Sequence, residues 1–588
     1  SGSHVWRIGS GGPLDGKRFA FDTPLYDAGL FTLIGGARFR VEFSYTRSPF
    51  TIESAATIPN TSCSFDGDSD LPGLVVCDEP GTGAWVPSFA ASAQRVVYWR
   101  VVQTYKYDST VGDLEQASTV WPLRIGAPND VDDSGKSDLL VGGAVPSLFL
   151  DGKALTSTAS TQADVRMART STTPFSYGWV EIVEDITNDG YDDIVVTDDS
   201  GSSTMTWVLK GRSSANWAAV ASLKMDTEVG AGRAYTISPP SGSYPQYFGR
   251  VVAWADLNND KVPDLVIGQY ASTTDEGRLF IFYGPITGNR TADTADAIIS
   301  GDSTPFRLGI SVARAGDVNG DGIDDIITAA DSKDAAWIIT GSSTNLTSGT
   351  ISNRASMKIS GWSASKTGRV VATARDVNQD GYADLLVGSP SYDKPSSESG
   401  ATFIVYSPGA TLSNVTVTDS TGWNRFETVS SSACQNCRLG SCAAIGRLYS
   451  DARLSLIAGA RAENSTYPPA SMKAGTVYVV NNLTALASQL VMETSATAIA
   501  RGTAAGDDFG RWCSVVGDLD GDGREDVAMS AWAHNSLAGH VWIFTGATLA
   551  TKTGTLGESD ATAVIDGTAS EMFGWDLSSY PSAGEPGY

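Results

Sequence analysis

Six stretches of nine residues carry oxygen-bearing side chains at the same four positions: DVDDSGKSD from Asp130, DITNDGYDD from Asp185, DLNNDKVPD from Asp256, DVNGDGIDD from Asp317, DVNQDGYAD from Asp376 and DLDGDGRED from Asp518. A tight loop turns side chains at positions 1, 3, 5 and 9, with the carbonyl of position 7, onto one centre, and a calcium ion takes such oxygens at about 2.3–2.6 Å. The predicted donor sets are Asp130, Asp132, Ser134, Lys136 and Asp138; Asp185, Thr187, Asp189, Tyr191 and Asp193; Asp256, Asn258, Asp260, Val262 and Asp264; Asp317, Asn319, Asp321, Ile323 and Asp325; Asp376, Asn378, Asp380, Tyr382 and Asp384; and Asp518, Asp520, Asp522, Arg524 and Asp526. The residue at position 7 offers only its carbonyl. Magnesium demands a stricter octahedron, and zinc or copper would want the His or Cys that these loops lack. Position 6 is Gly in five copies and Lys261 in the Asp256 copy, where a weaker site is expected. An EF-hand needs a bidentate Glu at position 12; here that position is Val141, Val196, Ile267, Thr328, Val387 or Met529. One Asp- and Gly-rich segment would be an ordinary solvated turn. Six copies, each followed by an apolar run, predict about six calcium ions held between strands.

The loops recur with a period of roughly sixty residues, which makes the repeat the unit of the fold. The clearest copies read YFGRVVAWADLNNDKVPDLVIG from Tyr247, FRLGISVARAGDVNGDGIDDIIT from Phe306, TGRVVATARDVNQDGYADLLVGSP from Thr367 and DFGRWCSVVGDLDGDGREDVAMSA from Asp508. After each comes an aromatic strand such as RLFIFYG, AAWIITG, ATFIVY or HVWIFTG, and then another short stretch. β-Branched and aromatic runs punctuated by Gly, Ser, Asn and Asp give an all-β chain with about four strands per unit, the pattern of propeller blades. Units counted by the glycine before each loop fall at Gly178, Gly249, Gly309, Gly368, Gly446 and Gly510, with an earlier one around Trp121, giving seven. The Gly446 unit has only Asp451 in place of the acidic pattern and is expected to hold no ion. A leftover copy, MFGWDLSSY at 572–580, is either the innermost strand of the first blade, closing the ring, or the stump of an eighth blade.

The order of FG, acidic loop and a Gly-Ala-Pro-like turn, imperfect in VGSP at Val387 and VGGA at Val141, resembles the FG-GAP repeats of integrin α-subunit propellers. It covers roughly residues 119–588. The resemblance implies that calcium braces loops at one rim and that partners dock mostly on the other. Residues 1–118 lack such loops. RFRVEFSYT near Arg38 and RVVYWRVVQTYKY near Arg95 alternate as in a small fibronectin-like or immunoglobulin-like sandwich, with Cys63 and Cys77 placed to staple the segment between them.

Composition restricts the function. Asp and Glu outnumber Lys and Arg by 66 to 41, a net charge of -25, which disfavours nucleic acid. No run of 18 apolar residues offers a membrane span. SGSHV at the start has no initiator Met or hydrophobic signal core, as in a trimmed product from which an anchor has been removed. Six cysteines and sequons at Asn60, Asn289, Asn345, Asn414, Asn464 and Asn482 suit a secreted or cell-surface glycoprotein with disulfides, those at Cys434, Cys437 and Cys442 knotting an insertion between the fifth and sixth blades. GGPLDGKR from Gly11 ends on Arg18 where a phosphate loop needs Ser or Thr, and DDSGS at Asp198 falls in a hairpin rather than a metal-binding α/β fold. Only three His and no Gly-x-Ser-x-Gly elbow argue against catalysis. The expected function is a non-catalytic adhesion or receptor ectodomain binding a protein or glycan. A calcium-dependent lectin, with Tyr270, Tyr392, Tyr467 and Trp532 stacking on sugars, and a polysaccharide-degrading enzyme are the alternatives.

Overall fold

A computed structural model describes strand backbone within residues 18–124 and, apart from short segments such as 428–436 and 462–473, residues 129–578. Asn60, Lys261, Cys434, Asp451, Asn464 and Tyr467 lie outside the described residues, as do the side chains of the first 128. The chain divides into two compact units, the first ending at residue 127 and the second starting at residue 128.

In the N-terminal unit Arg38–Ser44 pairs antiparallel with Ser54–Ile58 on one side and Val96–Tyr105 on the other. A second sheet joins Arg18–Asp22, Leu74–Asp78 and Cys63–Phe65, with Cys63 directly opposite Cys77. Trp121–Arg124 pairs with Val96–Trp99 in the first of these sheets. The sequence pattern had put Trp121 at the head of the first blade, but its Trp-Pro lacks the glycine that opens the other blades.

The second unit is a seven-bladed propeller. The second blade illustrates the pattern: Gly178–Val183, Asp193–Asp198, Met205–Leu209 and Ala234–Ser238 form an antiparallel meander. Its second strand is buried at every residue, as are its counterparts Asp264–Gln269, Asp325–Ala330, Asp384–Ser389, Ser455–Ala460 and Asp526–Ser530. A strand covered on both faces reads as a continuous apolar run rather than an alternation. Seven apolar clusters each mix residues of two neighbouring blades, so the core lies between blades: Ile281 with Ile326, Ile338 with Leu385, Ile404 with Leu456, Val479 with Val527, Ile543 with Val141, Leu148 with Ile194, and Val208 with Leu265.

The seventh junction is made by the chain ends. Leu577 bridges Val141, the Gly142 N–H donates to the Asp576 carbonyl at 2.8 Å, and the Ser578 N–H donates to the Leu140 carbonyl at 3.1 Å. The segment therefore occupies the innermost position of the blade made by Leu139–Val141, Ser147–Phe149 and Val165–Ala168. Buried Glu571 reinforces it, taking Arg166 at 2.9 Å and the Ser160 hydroxyl at 2.7 Å.

Three features escaped the sequence pattern. The outer strand of each blade pairs in parallel with a short piece of the next, among them Ile237 with Arg290, Ile299 with Gly349, Ile359 with Val415 and Ala159 with Asp566. Such pieces are two or three residues long and carry no periodicity. The opening glycine of the sixth blade is Gly440, whose φ of 86° is positive like those of Gly249, Gly309, Gly368 and Gly510; Gly446 ends the same strand, Leu439–Gly446. Without an acidic loop to anchor the register, the pattern slipped by six residues. Finally, Cys442 pairs with Cys513, joining the innermost strands of the sixth and seventh blades, so it is not part of a local knot. Cys437 is also disulfide-bonded.

Candidate metal centres and the face opposite them

Five of the acidic stretches join the first strand of a blade to the second, and the Asp130 stretch leads into Leu139–Val141, whose inner partner is the terminal segment. Position 1 organises the loop: Asp185 accepts the N–H of Asp189 at 2.8 Å and of Gly190 at 2.7 Å, one on each carboxylate oxygen. Asp130 and Asp317 do the same with Ser134 and Gly135, and with Asp321 and Gly322. Position 5 then accepts the N–H of position 7, as Asp260 does from Val262, Asp321 from Ile323 and Asp522 from Arg524. The glycine at position 6 has φ of 92°, 98°, 82°, 90° and 100° at Gly135, Gly190, Gly322, Gly381 and Gly523, a left-handed turn that lysine adopts at a cost.

Position 9 does more than the sequence suggested. Asp138, Asp193, Asp264, Asp325, Asp384 and Asp526 are fully buried and open the second strand. In five of them one carboxylate oxygen takes the N–H of position 2, from Val131, Leu257, Val318, Val377 and Leu519 at 2.8–3.0 Å; Asp193 takes that of Thr187. The other oxygen takes an N–H just beyond the third strand, from Asp151, Gly211, Gly284, Gly341, Ser407 and Gly546. These aspartates tie three strands together, and Asp138 and Asp193 also lie against the carboxylates of their loops.

In three loops the donors already converge. Ligand oxygens of Asp130, Asp132 and Asp138 lie within 4.8 Å of one another, as do those of Asp185, Asp189 and Asp193, and of Asp518, Asp520 and Asp522. In the Asp256 and Asp317 loops position 3 is an amide: the Asn258 and Asn319 carbonyl oxygens accept the N–H of position 5. Without a cation this crowding is costly. Burial pushes Asp130 and Asp264 up to about 8 and Asp317 up to about 6, and raises Asp138, Asp193, Asp325 and Asp526 well above the ordinary carboxylate range, with the neighbouring carboxylates adding to the effect. The Asp132 Oδ2 is buried with no hydrogen-bond partner among the described residues, an acceptor for which a cation is the fitting occupant. The donor sets thus fit a hard divalent ion.

Neighbouring loops are strapped together through position 8. Asp192 accepts the N–H of Asp130, Asp324 that of Asp256, and the Ser137 hydroxyl that of Asp518. In the sixth blade, Ser455 stands where the others have the position 9 aspartate. There Glu525 accepts the Arg447 N–H at 2.6 Å and also binds Arg375 of the fifth blade at 2.6 Å. Burial pushes the Glu525 carboxyl up, but the charges of Arg375 and Arg447 and their hydrogen bonds hold it below its usual value. Arg375 is 1% exposed. A side-chain cation thus spans the blade that lacks the acidic loop. Arg375→Ala is expected to destabilise the chain by roughly 3–5 kcal/mol, because it strands a buried carboxylate, whereas Arg375→Met with Glu525→Gln should recover most of the loss. Chemical denaturation of the two variants beside the unaltered chain measures both values.

The loops between second and third strands lie at the other end of each blade, because successive antiparallel strands reverse direction. Tyr270 stacks on Tyr247 at 4.6 Å and accepts from Arg250 at 3.2 Å. The Trp532 indole donates to Asp508 at 2.9 Å. Tyr392 is 1% exposed, packs on Trp362 and Phe403 and accepts from Arg425, so it belongs to the core and offers no ring to a sugar. Asn289, Asn345 and Asn414 are exposed, and Asn482 is half-buried.

The fold and its loops define a class: a seven-bladed propeller with oxygen-rich cation loops on the hairpins that begin its blades. Residues 367–406 match the FG-GAP repeat. The chain is 31% identical over 150 residues to integrin alpha-4 of Xenopus laevis, 33% over 149 to integrin alpha-3 of Cricetulus griseus and 31% over 163 to integrin alpha-IIb of Mus musculus. Each alignment covers 24% of this chain and 14–15% of the relative. Over these stretches the chain is similar to the FG-GAP repeat propellers of integrin α subunits.

Proposed function

We propose that this chain is an extracellular adhesion or receptor ectodomain, non-catalytic, whose propeller binds a protein ligand on the face away from the acidic loops while calcium in those loops braces the opposite rim. The observation that carries the reading is the separation of the two: the cation loops join first to second strands, and the partly exposed aromatic and charged loops join second to third strands of the same blades. The likeness to integrin α subunits supports an extracellular setting, and the exposed Asn289, Asn345 and Asn414 suit glycosylation there.

Cells or candidate protein ligands captured on the immobilised chain in about 1 mM calcium, and released by EDTA, are the expected result. A glycan array and incubation with acidic polysaccharides run beside it. Sugar binding with no protein capture would turn the reading to a lectin, and cleavage products would make the chain an enzyme.

A further inference from the structure

One residue follows each glycine that opens an innermost strand, with positive φ at all but Gly178, and in order around the ring these are Trp575, Trp179, Arg250, Ile310, Arg369, Ser441 and Arg511. They share one register position at the end of the blades away from the acidic loops. The Trp575 and Trp179 rings lie 5.8 Å apart, the Arg511 guanidinium sits 4.9 Å from the Trp575 ring, and that of Arg250 lies 5.6 Å from the Trp179 ring. Arg461, just past the second strand of the sixth blade, shares Asp508 with Arg511 at 3.9 and 3.3 Å. Burial lowers the Arg461 guanidinium pKa; Asp508 opposes this, and Arg511, Arg438 and Arg369 are near enough to add to it. Arg250 is paired with Asp199, and Arg369 reaches Asp331 only at 3.5 Å. Among the described residues Arg250, Arg369, Arg461 and Arg511 thus gather round Asp199, Asp331 and Asp508, in a chain whose net charge is -25. Ring faces hold Arg250 and Arg511 in place, which lowers the ordering cost of binding an anion.

We propose that this mouth docks a carboxylate-bearing segment of a partner protein, with an Asp or Glu side chain entering among Arg250, Arg369 and Arg511. Guanidinium forks match carboxylates bidentately. The tryptophans meet edge to face, Trp179 on Trp512 at 80° and Trp532 on Trp575 at 87°, so their faces are engaged inside the cluster, which favours a carboxylate over a stacked sugar. The proposal rests on the ectodomain reading and adds the chemistry of the ligand.

The test uses the full, calcium-loaded chain and a fluorescent glutamate-rich peptide, read by anisotropy over a salt series, with a lysine-rich peptide and heparin as further arms. The acidic peptide is expected to bind and the lysine-rich one not to bind. Arg369→Glu should weaken binding by about tenfold or more and flatten its salt dependence. Arg354→Gln, in the short helix Ile351–Arg354 before the outer strand of the fourth blade, should leave it unchanged. The Arg369 side chain is 47% exposed, so its substitution should leave the melting temperature intact; Arg369→Gln, with a smaller loss, is the second variant. No peptide binding, or equal binding by Arg369→Glu, overturns the proposal, as does binding of heparin alone. Protein or cell capture that Arg369→Glu leaves untouched removes this inference while the ectodomain reading stands; absence of any capture removes that reading too.

Discussion

Stripping calcium with excess EDTA is expected to lower the melting temperature of the chain by well over 10 °C, read by differential scanning calorimetry before and after calcium is restored. The magnitude follows from mass action: a site held at a hundredfold excess over its Kd contributes about 2.7 kcal/mol, and six independent sites contribute roughly 16 kcal/mol. The loops add a reason of their own. Asp130, Asp132 and Asp138 are each at most 3% exposed and mutually close, so loss of the ion leaves buried carboxylates facing one another. Asp132→Ala should remove one site and a corresponding fraction of the calcium-dependent shift. A melting temperature that does not move after calcium removal is verified by atomic absorption would show that the loops are ordinary turns.

The second large effect is expected at the closure of the ring. A chain ending at Ser570 loses Phe573, which is fully buried against Phe149, and Leu577, which is 4% exposed and bridges Val141. Removal of those two side chains alone costs roughly 5–10 kcal/mol by analogy with core truncations. The truncation also takes away the Asp576 and Ser578 contacts to the second blade, where the Asp576 carboxylate accepts the Val180 N–H and the Ser578 hydroxyl accepts that of Ile182, both at 2.8 Å. It exposes the inner edge of the first blade, an unpaired strand prone to association. The truncated chain should therefore melt far lower and elute partly as aggregates in size-exclusion chromatography. Leu577→Ala is the milder test, with an expected loss of about 2–5 kcal/mol. A truncation that melts like the full chain would mean that the terminal segment is an appendage and not part of the ring.

The aspartates at position 9 show the limit of reading a motif by spacing. They were legible as oxygen donors, but their second role depends on an N–H just past the third strand, which in the fourth blade belongs to Gly341, sixteen residues beyond Asp325. Tyr392 looked like the other loop tyrosines in sequence. It is buried because Trp362, from another blade's outer loop, folds over it at 4.6 Å, a contact that no local pattern encodes.

The amino-acid sequence by itself determined the all-β class, the roughly sixty-residue repeat and the oxygen positions of the six loops. These are local properties: strand and turn propensities, a loop of nine residues, and a glycine where the backbone must turn left-handed. Only the tertiary structure decided which glycine opens the sixth blade, that Cys442 pairs with Cys513, that Arg375 reaches Glu525 across the blade without an acidic loop, and that three arginines share one mouth. Each of these depends on residues brought together by closing a ring of blades, where partners are set by rotation about a common axis and lie 71 or 150 residues apart in the chain.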